Sequence, residues 1–204
     1  MRMLPLLLLA AVFATANAQD LPPQLTTAEL GYVAGINYHN DVLGLKLQRP
    51  PGWEMYTSGQ MNVGEAVTGR WSQVPAAVVA HHVRVLGMTD GATAIAMVAM
   101  VKLRPEDANR TLPDVAAEVR GAMMRHLPNA SGRPEPVKFS DAAHTFSEFR
   151  VHAAENHQEA LLSDHVAFIR GYVVQIILVS DTAEHLTAAE KLVKAGIQFV
   201  PPKP

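Results

Sequence analysis

Tyr172-Val173-Val174-Gln175-Ile176-Ile177-Leu178-Val179 is the stretch that decides the fold. Val173, Val174, Ile176, Ile177, Leu178 and Val179 are apolar at odd and even positions alike. Side chains alternate across a strand, so neither face of this one can look at water, and it reads as a central strand covered on both sides. It is joined tightly through Arg170-Gly171 to a strand from Gln158 to Phe168. Before that come strands at Val137 to Phe139 and His144 to Val151, an antiparallel meander. After it, Asp181 or Thr182 is placed to cap a helix from Ala183 to Ala195. Leu186, Ala189, Val193 and Ile197 share one side of that helix, and Gly196 lies near its stop.

Further out, Leu112, Val115, Val119, Ala122, Met123 and His126 recur at three and four, and Pro113 sits where a first-turn proline is tolerated. This predicts an amphipathic helix that ends before Pro128-Asn129. Val78 to Met88 and Thr93 to Leu103 are apolar, β-branched runs joined by Thr89-Asp90-Gly91, a hairpin with glycine where positive φ is needed. Ala92 to Val101 also fits a buried helix by composition, but the Asp-Gly turn and the Val-rich neighbour favour a strand. Gly35 to Tyr38 and Leu45 to Gln48 form another hairpin, ended by Pro50-Pro51-Gly52. Trp53 then plugs the core edge or, in the other reading, stacks on a ligand. The expected class is α+β, an antiparallel β-sheet flanked by helices. Residues 31–200 read as one domain, between a polar segment at 19–30 and a proline-rich tail at 201–204.

The 204 residues suit one sizeable core, and 49% hydrophobic with 18% charged residues is ordinary globular composition. A formal charge of −2 leaves no basic surplus for phosphates, so nucleic acid is not an expected partner. Residues 1–18 have the three parts of an export signal: Arg2, an apolar run from Leu4 to Ala14, and Ala16-Asn17-Ala18 as a small-x-small cleavage site. The run is shorter than the ~20 residues a membrane-crossing helix needs. Gln19 is then the expected mature N-terminus, with no transmembrane segment after cleavage. The chain has no cysteine, so disulfides and lipid anchoring at a cysteine are excluded, and a periplasmic or secreted location is expected.

Asn37-Tyr38-His39-Asn40 and Leu43-Gly44-Leu45 lead into Pro51-Gly52-Trp53. Arg170-Gly171-Tyr172-Val173-Val174-Gln175-Ile176 leads into a helix and Ile197-Gln198-Phe199. Across roughly residues 35–199 this order resembles the PsbP-like family and its bacterial exported relatives. The resemblance implies an α-β-α sandwich around an antiparallel sheet, and an accessory or assembly role in a larger complex. The short 19–30 segment does not match the extended N-terminal arm of the photosynthetic members, so photosystem binding is not implied. No metal-ligand motif of that subfamily matches here.

Nine histidines are the one compositional excess that invites chemistry. If Ala153 to Asn156 forms the loop between the second and third meander strands, His152 lies opposite His157, Arg150 opposite Glu159, Glu148 opposite Leu161 and His144 opposite His165. All then share a face. Either histidine pair could share a divalent metal, with Glu148 or Glu159 as an oxygen ligand. The plainer alternative is a solvated face of ordinary cross-strand pairs. His81 and His82 point to opposite faces and cannot chelate together. Met97, Met100, Met123 and Met124 suit core filling better than copper ligation. Ser163-Asp164-His165 has the residue types of a hydrolytic triad, but successive strand residues point to alternate faces. No G-x-S-x-G, H-E-x-x-H, P-loop or G-x-G-x-x-G occurs, and there is no thiol nucleophile. The leading expectation is therefore a noncatalytic envelope protein that binds a partner protein or complex and needs no cofactor. A metal-binding protein is the alternative, and a hydrolase with an unrecognised site comes third.

Overall fold

The computed structural model describes residues 25–61, 83–103, 105–126, 134–137, 144–155 and 158–200. The expected signal at 1–18, the histidines at 81, 82 and 157, and the tail at 201–204 lie outside them. The described elements are α1 (Thr27–Leu30), β1 (Tyr32–Ala34), β2 (Asn37–Asn40), β3 (Leu45–Gln48), β4 (Glu54–Thr57), β5 (Val83–Thr89), β6 (Ala94–Lys102), α2 (Leu112–His126), β7 (Pro134–Val137), β8 (Phe146–Glu155), β9 (Gln158–Ile169), β10 (Tyr172–Ser180), α3 (Ala183–Gly196) and β11 (Ile197–Phe199). They make an α+β fold with two antiparallel sheets. The larger has the order β4-β5-β6-β10-β9-β8-β7 and the smaller β1-β2-β3-β11.

β10 occupies the middle of the seven strands and is buried at all nine of its residues. That is the outcome its two-faced apolar pattern demands. Its even-numbered residues Val174, Ile176 and Leu178 join a core with Ala96 and Val98 of β6, Leu186, Ala189 and Val193 of α3, and Tyr38, Leu45 and Leu47 of the small sheet. Its odd-numbered Val173, Ile177 and Val179 join a second core with Met97 of β6 and Val115 and Val119 of α2. Met97 and Met100 belong to opposite cores, which rules out a shared copper site between them. Trp53 is buried in the first core, as expected of an aromatic plug.

Local chemistry explains the turns. Asp90 Oδ1 accepts from the backbone N–H groups of Ala92, Thr93 and Ala94, and Gly91 supplies φ 81°, so the β5–β6 strand alternative was the right one. Arg170 and Gly171 have φ 50° and 83°, both positive as a two-residue hairpin turn with the twist of its strands requires. The Arg170 side chain also donates to the carbonyl of Val200 at 2.7 Å, tying this corner of the large sheet to the end of the small one. Thr182 caps α3 by accepting from the His185 N–H at 3.1 Å.

The end of the segment expected to be a tail is structured. Thr26 and Glu29 form a capping box around α1, and Glu29 is buried. Tyr172 donates to Glu29 Oε1 at 2.5 Å, and Lys102 Nζ lies 3.6 Å from the same oxygen. The Tyr172 hydrogen bond, then those from Thr26, hold the Glu29 carboxyl down to about 2, against an ordinary 4.5. A carboxylate favoured by folding stabilises fully above its unfolded value, and that stability is lost as pH falls toward the folded one. Glu29→Gln is therefore expected to cost about 1–3 kcal/mol at pH 7, the worth of hydrogen bonds to a charged group. The deficit should shrink between pH 4.5 and 2, which urea melts at a series of pH values will read.

Candidate functional site

The β8–β9 ladder pairs Glu148 with His165, Arg150 with Ser163, His152 with Leu161, and Ala154 with Glu159, and it runs on to Glu155 opposite Gln158. The expected register is thus wrong by four residues. Only 156 and 157 separate the strands, rather than 153–156, because a longer ladder satisfies more backbone groups than a four-residue loop would. Moving the turn by two residues leaves the parity of the pairing intact, so Glu148, Arg150 and His165 still share a face. Glu148 and His165 on that face are buried, and Arg150 at its edge is exposed. The face lies in the α3-side core, with His165 beside Ile176 of β10.

Of the six residues proposed as metal ligands, the structure brings together Glu148 and His165. His144 packs edge-on against Phe199 at a centroid distance of 4.6 Å. His152 is half-buried opposite Leu161. Glu159 pairs through its backbone with Ala154, and His157 lies outside the described residues. The third member of the cluster is one the sequence reading missed, Glu190 of α3. It falls with Leu186, Ala189 and Val193 on the buried side of the helix. An acidic residue on an apolar stripe is the signal that points to it.

Arg150 bridges the two carboxylates from outside. Its Nε donates to Glu148 Oε1 at 2.8 Å and its Nη2 to Glu190 Oε2 at 2.6 Å. The other oxygen of each faces His165: Nδ1 is 3.7 Å from Glu148 Oε2, and Nε2 is 3.9 Å from Glu190 Oε1. Ser163 Oγ lies 2.9 Å from His165 Nε2. Burial, with the charges of Lys194 and Arg150, pushes His165 down to about 3, so its ring is neutral at pH 7. The expectation that Ser163-Asp164-His165 is no triad holds for Asp164, which points to the opposite face. Ser163 and His165, two apart on one strand, do bond, and Glu148 stands on the far side of the ring. The result is a bonded serine–histidine pair at 0% exposure, with the Glu148 carboxylate 3.7 Å from the ring and not hydrogen-bonded to it.

On the α2-side face, Gln175 Nε2 donates to Asp164 Oδ2 at 2.9 Å, and both residues are fully buried. Asp164 Oδ1 and Gln175 Oε1 have no hydrogen-bond partner among the described residues.

No family model matches this chain, and no curated protein does. A cyanobacterial PsbP is among the solved structures of similar shape. That solution structure, from Synechocystis, is 12% identical with a TM-score of 0.49, over 84% of this chain and 99% of that one. LpqN of Mycobacterium tuberculosis, involved in cell envelope biogenesis, is 11% identical with a TM-score of 0.49, over 77% and 83%. The Pseudomonas aeruginosa protein PA94, of unknown function, is 15% identical with a TM-score of 0.41, over 54% and 74%.

Proposed function

We propose that this chain is an exported, noncatalytic accessory protein of the cell envelope, built as an α-β-α sandwich, that acts by binding a partner protein. The observation that carries the reading is the burial of Ser163 and His165 at 0% exposure beneath α3. A nucleophile and its base must meet substrate, and a serine–histidine pair closed to water and substrate alike has nothing to act on. The buried carboxylates and Arg150 then read as an internal framework, and function falls to the surface. The export signal expected at 1–18 puts that surface in the envelope.

The contact we favour is the β1 edge of the small sheet, which pairs on one side alone among the described residues. β1 ends that sheet's strand order, and Tyr32 and Ile36 beside it are 52% and 43% exposed. Tyr32 stacks on His39 at 5.3 Å, which holds an aromatic ring outward without burying it, and rings so presented are common anchors of interfaces. The test is a cross-linked pull-down of residues 19–204 from the envelope of its own host, beside the Tyr32→Ala, Ile36→Asp double variant. The expected result is one stoichiometric partner for the parent and at least a tenfold loss for the variant. Capture of nothing, or equal capture by both, sinks the proposal.

A further inference from the structure

We propose that Glu148, His165 and Glu190 form a binding site for one divalent transition-metal ion of the zinc or manganese class, with Arg150 as the cation it competes against. Each residue offers one ligand atom, and the three atoms all lie within 4.8 Å of one another. Bonds of about 2.1 Å to nitrogen and oxygen place donors up to about 4 Å apart around one ion, so shifts of less than about 1 Å complete the set. One imidazole with two carboxylates is a mixed donor set that suits zinc, manganese or iron. The nitrogen ligand disfavours magnesium and calcium, which prefer all-oxygen shells.

Two further observations point to an ion. Glu190 Oε1 is buried, aimed at the His165 ring, and has no hydrogen-bond partner among the described residues, a costly state that a cation relieves. Arg150 donates to Oε1 of Glu148 and Oε2 of Glu190, while the other oxygen of each faces the His165 ring. Ser163 Oγ, 2.9 Å from Nε2, is an outer partner of the kind that orients a ligating histidine. Two carboxylates balance a 2+ charge, so the guanidinium becomes surplus when the ion binds. The Arg150 side chain is 52% exposed and can withdraw into water. Lys194, one turn beyond Glu190 on α3, adds positive charge felt at the ring and opposes weakly held ions.

The test uses untagged protein, residues 19–204, purified from its own host. Its metal content is measured by mass spectrometry, and its melting temperature is read with added zinc or manganese chloride. One ion per chain is expected, with a rise in melting temperature of several degrees. Glu190→Gln and His165→Gln should weaken binding at least tenfold, and Arg150→Met should strengthen it at least tenfold by removing the competitor. Should His165→Gln fail to fold, Glu190→Gln decides, since it keeps the size of the side chain and its bond to Arg150. Absence of both a bound ion and a thermal shift, in the parent and in Arg150→Met, overturns the site. So does binding that survives Glu190→Gln, which places the ion on histidines elsewhere, such as exposed His185.

Discussion

Arg150→Ala is expected to lower the stability of the fold by about 1.5–3 kcal/mol in chelator-treated protein, the worth of hydrogen bonds between charged groups, and less than a fully buried ion pair would lose because the Arg150 side chain is 52% exposed and its removal admits water. The reason is the environment of the carboxylates. The Glu148 and Glu190 side chains are 4% and 6% exposed, and both bond to the same guanidinium. Without it, two negative charges remain in the core beside a neutral imidazole. Neutralising them should undo the damage, so Glu148→Gln and Glu190→Gln added to Arg150→Ala are expected to restore most of the lost stability, as urea midpoints will show. An exposed pair supplies the contrast. Arg110 meets Glu118 on the surface, their side chains 33% and 59% exposed, and Arg110→Ala should cost under about 1 kcal/mol. Equal losses for Arg150→Ala and Arg110→Ala, or no recovery in the triple variant, would show that the buried cluster is not what Arg150 holds together.

The same cluster shows where the sequence can be read and where it cannot. Burial of β10 was legible because its apolar residues fill both parities, a property of the strand alone. The caps and turns at Asp90, Gly91 and Thr182 were legible for the same reason, since each is satisfied within a few residues. The β8–β9 register was not. Ala153-Ala154-Glu155-Asn156-His157 contains no Asn-Gly or Asp-Gly pair to locate the turn, and a two-residue slide preserves the hydrophobic pattern on each face. Face membership therefore survived the error while the partners changed, and His165 met Glu148 instead of His144. Glu190 lies 40 residues from Arg150 along the chain, and only the docking of α3 brings the two together. Segment 19–30 looked like a tail because the one-turn α1 has little strength of its own. Its anchor, the bond from Tyr172 to Glu29, spans 143 residues.

Asp164→Asn is expected to make the protein more stable than the parent at pH 8, by about 2–4 kcal/mol, with the difference closing toward pH 4. Asp164 and Gln175 face each other inside the α2-side core, and one hydrogen bond joins them, from Gln175 Nε2 to Asp164 Oδ2. The remaining oxygens, Asp164 Oδ1 and Gln175 Oε1, are both acceptors when the acid is ionised, and no donor among the described residues reaches either. A protonated acid supplies the missing donor: its O–H completes a two-bond pair with the amide. Burial drives the group the same way, pushing Asp164 up to about 8 from an ordinary 3.8, against the pull of the Gln175 bond. The folded chain thus holds a proton that the unfolded chain releases. Stability from this group is complete below about pH 3.8 and declines by up to about 1.4 kcal/mol per pH unit as pH rises to about 8. An asparagine has nearly the same shape and carries its own N–H donor, so it makes the two-bond pair at any pH without holding a proton. Denaturation midpoints of both proteins from pH 4 to 8 measure the difference. If the parent is flat across that range and the variant is weaker throughout, Asp164 is ionised in the folded state, and its negative charge is balanced by a cation rather than neutralised by a proton.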